Sequence, residues 1–196
     1  MTLQLQLDWG WSPAHAAVGM LPQVVVMFAL GPFIGRFVDR AGLARAAWLS
    51  AGAVVAGLAC YSLLGRSGYA AVALSLVLVG AGMGVVGVVA GVNVVRGLPE
   101  NRTSIGVALV DTASEVTSAI GIAVTGTVLA TSFTGALTDR DWTATQTGQF
   151  ADSVTIAGLA LTVAAAALAG WAAVRTRRAP DDSATTPREG AAAVPA

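Results

Sequence analysis

The sequence is poor in charge. Only 11% of its 196 residues are Asp, Glu, Lys or Arg, against about 25% in soluble domains. Hydrophobic residues make up 55%, and mean hydropathy is +0.71. A soluble fold of this length could not hide so much apolar surface, because a small domain leaves much of its surface exposed. Lipid can cover it instead. Lysine is absent, and all basic residues are Arg. Eleven of them balance eleven acids, so formal net charge is zero and no global basic field exists to hold nucleic acid. Cysteine is nearly absent too. The single Cys60 excludes an intramolecular disulfide and a thiolate metal cluster, and its place in an apolar run reads as a buried structural thiol. The opening MTLQLQLDWG lacks the basic stretch of a signal peptide and carries Asp8 instead. Phosphate-binding glycine loops, metal-ligand spacings and a nucleophile signature with ordered His and Asp are missing. The chain therefore does not read as an enzyme, and no cofactor or metal is expected.

What the sequence does have is long apolar runs. A bilayer core of about 30 Å needs about 20 apolar residues of helix. Five stretches qualify, at about 14–34, 46–64, 70–95, 104–132 and 154–174. They define a transmembrane region over 14–174, between an outer N-terminal segment at 1–13 and a polar tail at 175–196. The tail composition predicts disorder. Arg36, Arg40, Arg45, Arg96, Arg102, Arg175, Arg177, Arg178 and Arg188 fall on one side, leaving Arg66 and Arg140 on the other. The positive-inside rule then places the C-terminus in the cytoplasm and the N-terminus outside. Trp9, Trp11, Trp48, Trp142 and Trp171 fall near span ends, as an interfacial aromatic belt requires. The longest external connection is 133–149. Gly80 with Gly84, and Gly87 with Gly91, have the four-residue spacing that lets helices approach closely in lipid. Pro22 and Pro32 are candidate kinks in the first span. His15, near its outer end, reads as incidental.

Four of the spans hold no Asp, Glu or Arg. The fourth holds Asp111 and Glu115, four residues apart and so on one helix face. Counted from Arg102 they lie roughly 13 and 20 Å along the helix, near mid-membrane. Acids there usually face a bundle interior or an aqueous cavity. A carboxyl removed from water beside a like charge tends to keep its proton. Such a pair can load and release protons or meet a cationic substrate. The bland alternative is permanent protonation, or a tie to Ser, Thr or a basic partner.

The loop GRFVDRAGLAR contains Gly35 and Gly42, which permit tight turns, and Asp39, which can accept from a helix N-terminus or an Arg. On spacing alone it is a short turn with topogenic charge. It also resembles the loop signature of the major facilitator superfamily, through Gly35, Asp39, Arg40 and Gly42. Leu43 and Ala44 stand where that pattern usually has basic residues. LQLDWGWSPAHAAVGMLP resembles a segment of the fourteen-span drug/proton antiporter branch, through Gly10, Trp11, Ser12, Pro13, Gly19, Leu21 and Pro22. RTSIGVALVDTASEVTSAIGIAVTGTVL resembles a helix of the same branch, through Gly106, Ala108, Glu115, Gly121, Ile122, Ala123, Val124 and Gly126. Asp111 stands at its first acid, and Thr117 replaces a usual glycine.

The resemblance covers about 3–174. It implies an all-α membrane fold of about five transmembrane helices, forming an incomplete C-terminal half of a major facilitator bundle. Met1 falls in mid-course of the family pattern, so a fragment is expected, with the N-terminal half of the transporter as its missing partner. The implied activity is export of small lipophilic or cationic compounds in exchange for protons across a bacterial inner membrane. The proton gradient supplies the energy, and the two bundles rock about a central site. Asp111 and Glu115 then belong to the proton or substrate pathway. Gly35, Asp39, Arg40 and Gly42 form a conformational latch. Two other readings stay open: a truncated membrane protein or assembly partner that transports nothing, and a proton channel.

Overall fold

The computed structural model describes residues 1–97, 102–132 and 143–178. The chain is a multi-pass α-helical membrane protein. Every regular element among the described residues is helical. After a one-turn π-helix at Gln4–Asp8 come α1 (Pro13–Gly19), α2 (Leu21–Ala41), α3 (Leu43–Leu64), α4 (Tyr69–Gly97), α5 (Thr103–Ser132) and α6 (Ala144–Arg178). Five stretches are long and apolar enough to cross a membrane: Pro13–Ala41, Leu43–Leu64, Tyr69–Val94, Thr103–Thr131 and Thr145–Arg175. The order and number of spans match the apolar runs of the sequence. The boundaries differ in places, each for a local reason.

The first span is two helices. Ser12 caps α1 by accepting from the His15 N–H at 3.2 Å, and Pro13 occupies the first turn, where no N–H is needed. The break falls at Met20, and Pro22 then lies in the first turn of α2. Pro22 therefore starts a helix instead of kinking one. Pro32 lies inside α2 and removes one donor from its ladder.

The expected loop at 35–45 is nearly all helix. α2 continues through Gly35, Asp39 and Arg40 to Ala41, and α3 begins at Leu43. The connection is Gly42 alone, at φ +81° and ψ 148°. Its N–H donates to the Val38 carbonyl at 2.9 Å, and its carbonyl accepts from the Ala46 N–H at 2.9 Å. Gly35 makes no turn. Ile34 and Val38 on either side of it are buried against Ala46 and Val89, which holds the helix straight through it. At the other end of α3, the turn to α4 closes with Gly65 N–H on Tyr61 carbonyl and Ser67 N–H on Leu64 carbonyl, both at 2.9 Å.

α4 is the central helix, lying against α2 and α3 and touching α5, while α6 lies against α3 and α5. Glycine lets α3 and α4 meet. A Cβ on Gly82 would sit 2.6 Å from Val54 Cγ2 and 2.8 Å from the Ser50 carbonyl oxygen, and one on Gly57 would sit 2.7 Å from Val79 Cγ2. Of the glycine pairs with close-packing spacing, Gly80 and Gly84 do abut α2, at Gln23 and Ile34. Gly87 and Gly91 face open space. Cys60 is half-buried, and its thiol donates to the Ala71 carbonyl at 3.8 Å.

α6 begins ten residues before the expected 154, so Gln149, Phe150 and Asp152 are helical. Phe150, fully buried, anchors that extra length. α6 also runs through Arg175 to Arg178, into the expected tail, with the Arg175 guanidinium 4.5 Å from the Trp171 ring centroid. The rest of the tail, most of the 133–149 connection, Arg140 and Trp142 lie outside the described residues.

Candidate functional site

α5 carries the two membrane-depth acids. Counted from Thr103, Asp111 and Glu115 stand about 12 and 18 Å along the helix. Both side chains are exposed, and so is every residue from Val107 to Ile120. The most apolar window of α5 has no buried residue at all, the least cover of the five spans. α5 touches α4 and α6, and its partly covered residues include buried Gly106 near one end and half-buried Val124, Val128 and Leu129 further along.

Among the described residues no side chain bonds either acid. The hydroxyls of Thr112 and Thr117, on the same helix, donate to the carbonyls of Ala108 and Ala113 at 2.8 and 2.7 Å. Among the described residues no cation reaches either carboxylate; the salt bridge there joins Arg66 to Asp152. Two carboxyls at this depth without a partner among the described residues are costly in lipid. Metal-binding groups of three or more His, Cys, Asp or Glu are absent among the described residues.

The residues expected to form a latch lie on α2 and at its end. Asp39 and Arg40 are exposed in the last turn of α2, where Arg40 complements the helix dipole. Among the described residues neither takes an ion-pair partner, so the structure contains no closed latch. Gly42 is the positional part of the motif and Gly35 is an ordinary helical residue.

The end of the bundle that carries the N-terminal segment holds a polar assembly that the sequence did not announce. The N-terminal segment is packed down over it. Gln4, buried, donates to the Gly65 carbonyl at 3.1 Å, and Leu5 is fully buried. Trp11 stacks on His15 at 4.0 Å and lies 5.4 Å from Tyr69, whose hydroxyl donates to the Gly19 carbonyl at 3.0 Å. Arg66, in the α3–α4 turn, pairs with Asp152 of α6 at 2.8 Å. Partial burial pushes the Asp8 carboxyl above its ordinary value, opposed by Arg66 and a Gln4 hydrogen bond. Beneath this segment a cavity of about 240 Å³ opens between α3, α5 and α6. Tyr61, whose buried hydroxyl has no hydrogen-bond partner among the described residues, is part of its lining with Thr125 and Phe150. The acids do not line it. The scattered polar residues of 1–13 gave no periodicity that could have signalled this docking.

Searches against family models, curated proteins and solved structures found no match.

Proposed function

We propose that the chain forms part of a transmembrane transporter that exports small lipophilic or cationic compounds in exchange for protons. The observation that carries this reading is the Asp111–Glu115 pair, held at membrane depth on the uncovered face of α5 without a partner among the described residues. A structural pair would be tied to Ser, Thr or Arg within the bundle. This pair is free to exchange a proton for a cation, one carboxylate charge being available to either. The ordered likeness of three segments to the drug/proton antiporters supports the same reading. In this scheme a second helical bundle, the transporter's N-terminal half, covers the α5 face and completes a cavity around the acids. The arginine distribution supports a bacterial inner-membrane orientation with the N-terminus outside.

The test is efflux. Cells expressing the chain, alone and with the product of the reading frame just upstream, are loaded with a fluorescent lipophilic cation. Efflux should appear in the paired cells, stop when the proton gradient is collapsed, and fall at least about tenfold in Asp111→Asn or Glu115→Gln, the scale of loss for a positioned proton-transfer group. No gain over empty vector in either arrangement sinks the proposal. A proton leak without substrate would favour a channel instead.

A further inference from the structure

One face of α2 combines charge and an apolar groove. Arg36 and Arg40 share a face with Phe33, Phe37 and Ala41, and together they line an open pocket of about 590 Å³. A second groove of about 320 Å³ adjoins it, sharing Phe33 and Phe37 and running between α2 and α4 along Leu30, Ile34, Ala81 and Val85. That groove is lined without a polar side chain. From Arg40 back to Leu30 is ten residues of helix, about 15 Å, which is half of a 30 Å hydrocarbon core. Headgroup-depth charge therefore continues into a slot one leaflet deep.

We infer that this face binds an anionic phospholipid, its phosphate between Arg36 and Arg40 and an acyl chain along the α2–α4 groove. Charge complementarity commits the occupant. Among the described residues neither guanidinium takes a carboxylate, although Asp39 lies on the same turns; Asp39 and Arg45 are outside the lining. A guanidinium presents paired N–H donors that match phosphate oxygens. Basic pockets at the arginine-rich end of a membrane bundle suit acidic headgroups, and the exposed rings of Phe33 and Phe37 sit where headgroup meets chain. A free anion would leave the groove unexplained, and a neutral lipid would leave the arginines unexplained. The inference holds whether or not the chain transports.

The purified full chain in detergent micelles is titrated with phosphatidylglycerol, phosphatidylcholine or inorganic phosphate, and bound species are counted by native mass spectrometry. Phosphatidylglycerol should be retained at least about tenfold more tightly than phosphatidylcholine, the scale expected for two arginines at the surface. Arg36→Gln with Arg40→Gln should abolish that preference, while Arg36→Lys with Arg40→Lys should keep most of it. Val85→Trp, which fills the groove and leaves both arginines in place, should weaken both lipids. Arg66→Gln, at the other end of the bundle, should change nothing. Equal retention of the two lipids, a preference that survives the double Gln change, or an equal loss in Arg66→Gln overturns the inference. So does displacement of phosphatidylglycerol by phosphate alone, which reassigns the pocket to a free anion.

Discussion

At Gly42 the backbone holds φ +81° and ψ 148°, a region that any Cβ makes costly. Gly42→Ala should cost roughly 1–3 kcal/mol in the stability of the α2–α3 hairpin. Gly35 is helical with open space where its side chain would go, so Gly35→Ala should be neutral or stabilise by up to about 1 kcal/mol. Thermal unfolding in detergent separates the two. Equal damage from both would mean that Gly35 turns the chain in some state other than this one. Asp8 offers a second residue-scale test. Its carboxyl is raised by burial, so the folded state holds the proton more tightly than the unfolded state does. Stability of the docked N-terminal segment should therefore rise as pH falls from neutral towards the ordinary value of 3.8, and the penalty is full above the raised value. Quenching of Trp9 and Trp11 by acrylamide should decrease over that interval. Asp8→Asn should show the low quenching at every pH; quenching that still varies with pH in this variant would assign the change to another group.

Among the elements, the α3–α4 contact is the most extensive, and glycine makes it possible. Gly82→Val places atoms against Val54 and the Ser50 carbonyl, so it should destabilise by about 1–3 kcal/mol, as overpacking does. Gly87→Ala and Gly91→Ala meet nothing and should be near neutral. The comparison is read from detergent-stability midpoints, and a large loss at Gly87 would place another helix against α4 there. The same contrast shows what sequence can and cannot disclose. Span number and order were legible because lipid imposes one requirement on every residue of a run. Which glycine touches a neighbour was not legible, since four-residue spacing marks a helix face without saying what lies opposite. Gly57 and Gly82 belong to no such pair within their own helices, yet they make the close α3–α4 approach. The 35–45 loop was misread for a related reason. Its charges and glycines look like a turn, but burial of Ile34 and Val38 carries the helix through them. The acid pair was legible by its rarity, and its exposed face was not, because exposure depends on which helices α5 meets.

For the molecule as a whole the question is what α5 faces. Its large apolar side chains are exposed along most of its length: Ile105, Leu109, Val116, Ile120 and Ile122 are each more than half uncovered. Lipid suits these residues and does not suit Asp111 and Glu115 among them. On insertion scales an acid at the centre of a helix costs about 2.5–3.5 kcal/mol. A chain alone in the bilayer bears that cost with no return from the described residues, none of which bonds either carboxyl. A chain whose α5 face is covered by a second bundle bears it as the means of moving protons. The two situations predict opposite responses to one change. Asp111→Leu with Glu115→Leu should raise the membrane-integrated, protease-resistant fraction of the chain expressed alone, because it removes the intramembrane carboxyls. On the proposed transporter reading, the same double variant should abolish proton-dependent efflux when the chain is expressed with the proposed second bundle. If the two acids instead hold the bundle together from within, the isolated double variant loses integrated protein, and α5 owes its stability to bonds that its exposed face does not make in this structure.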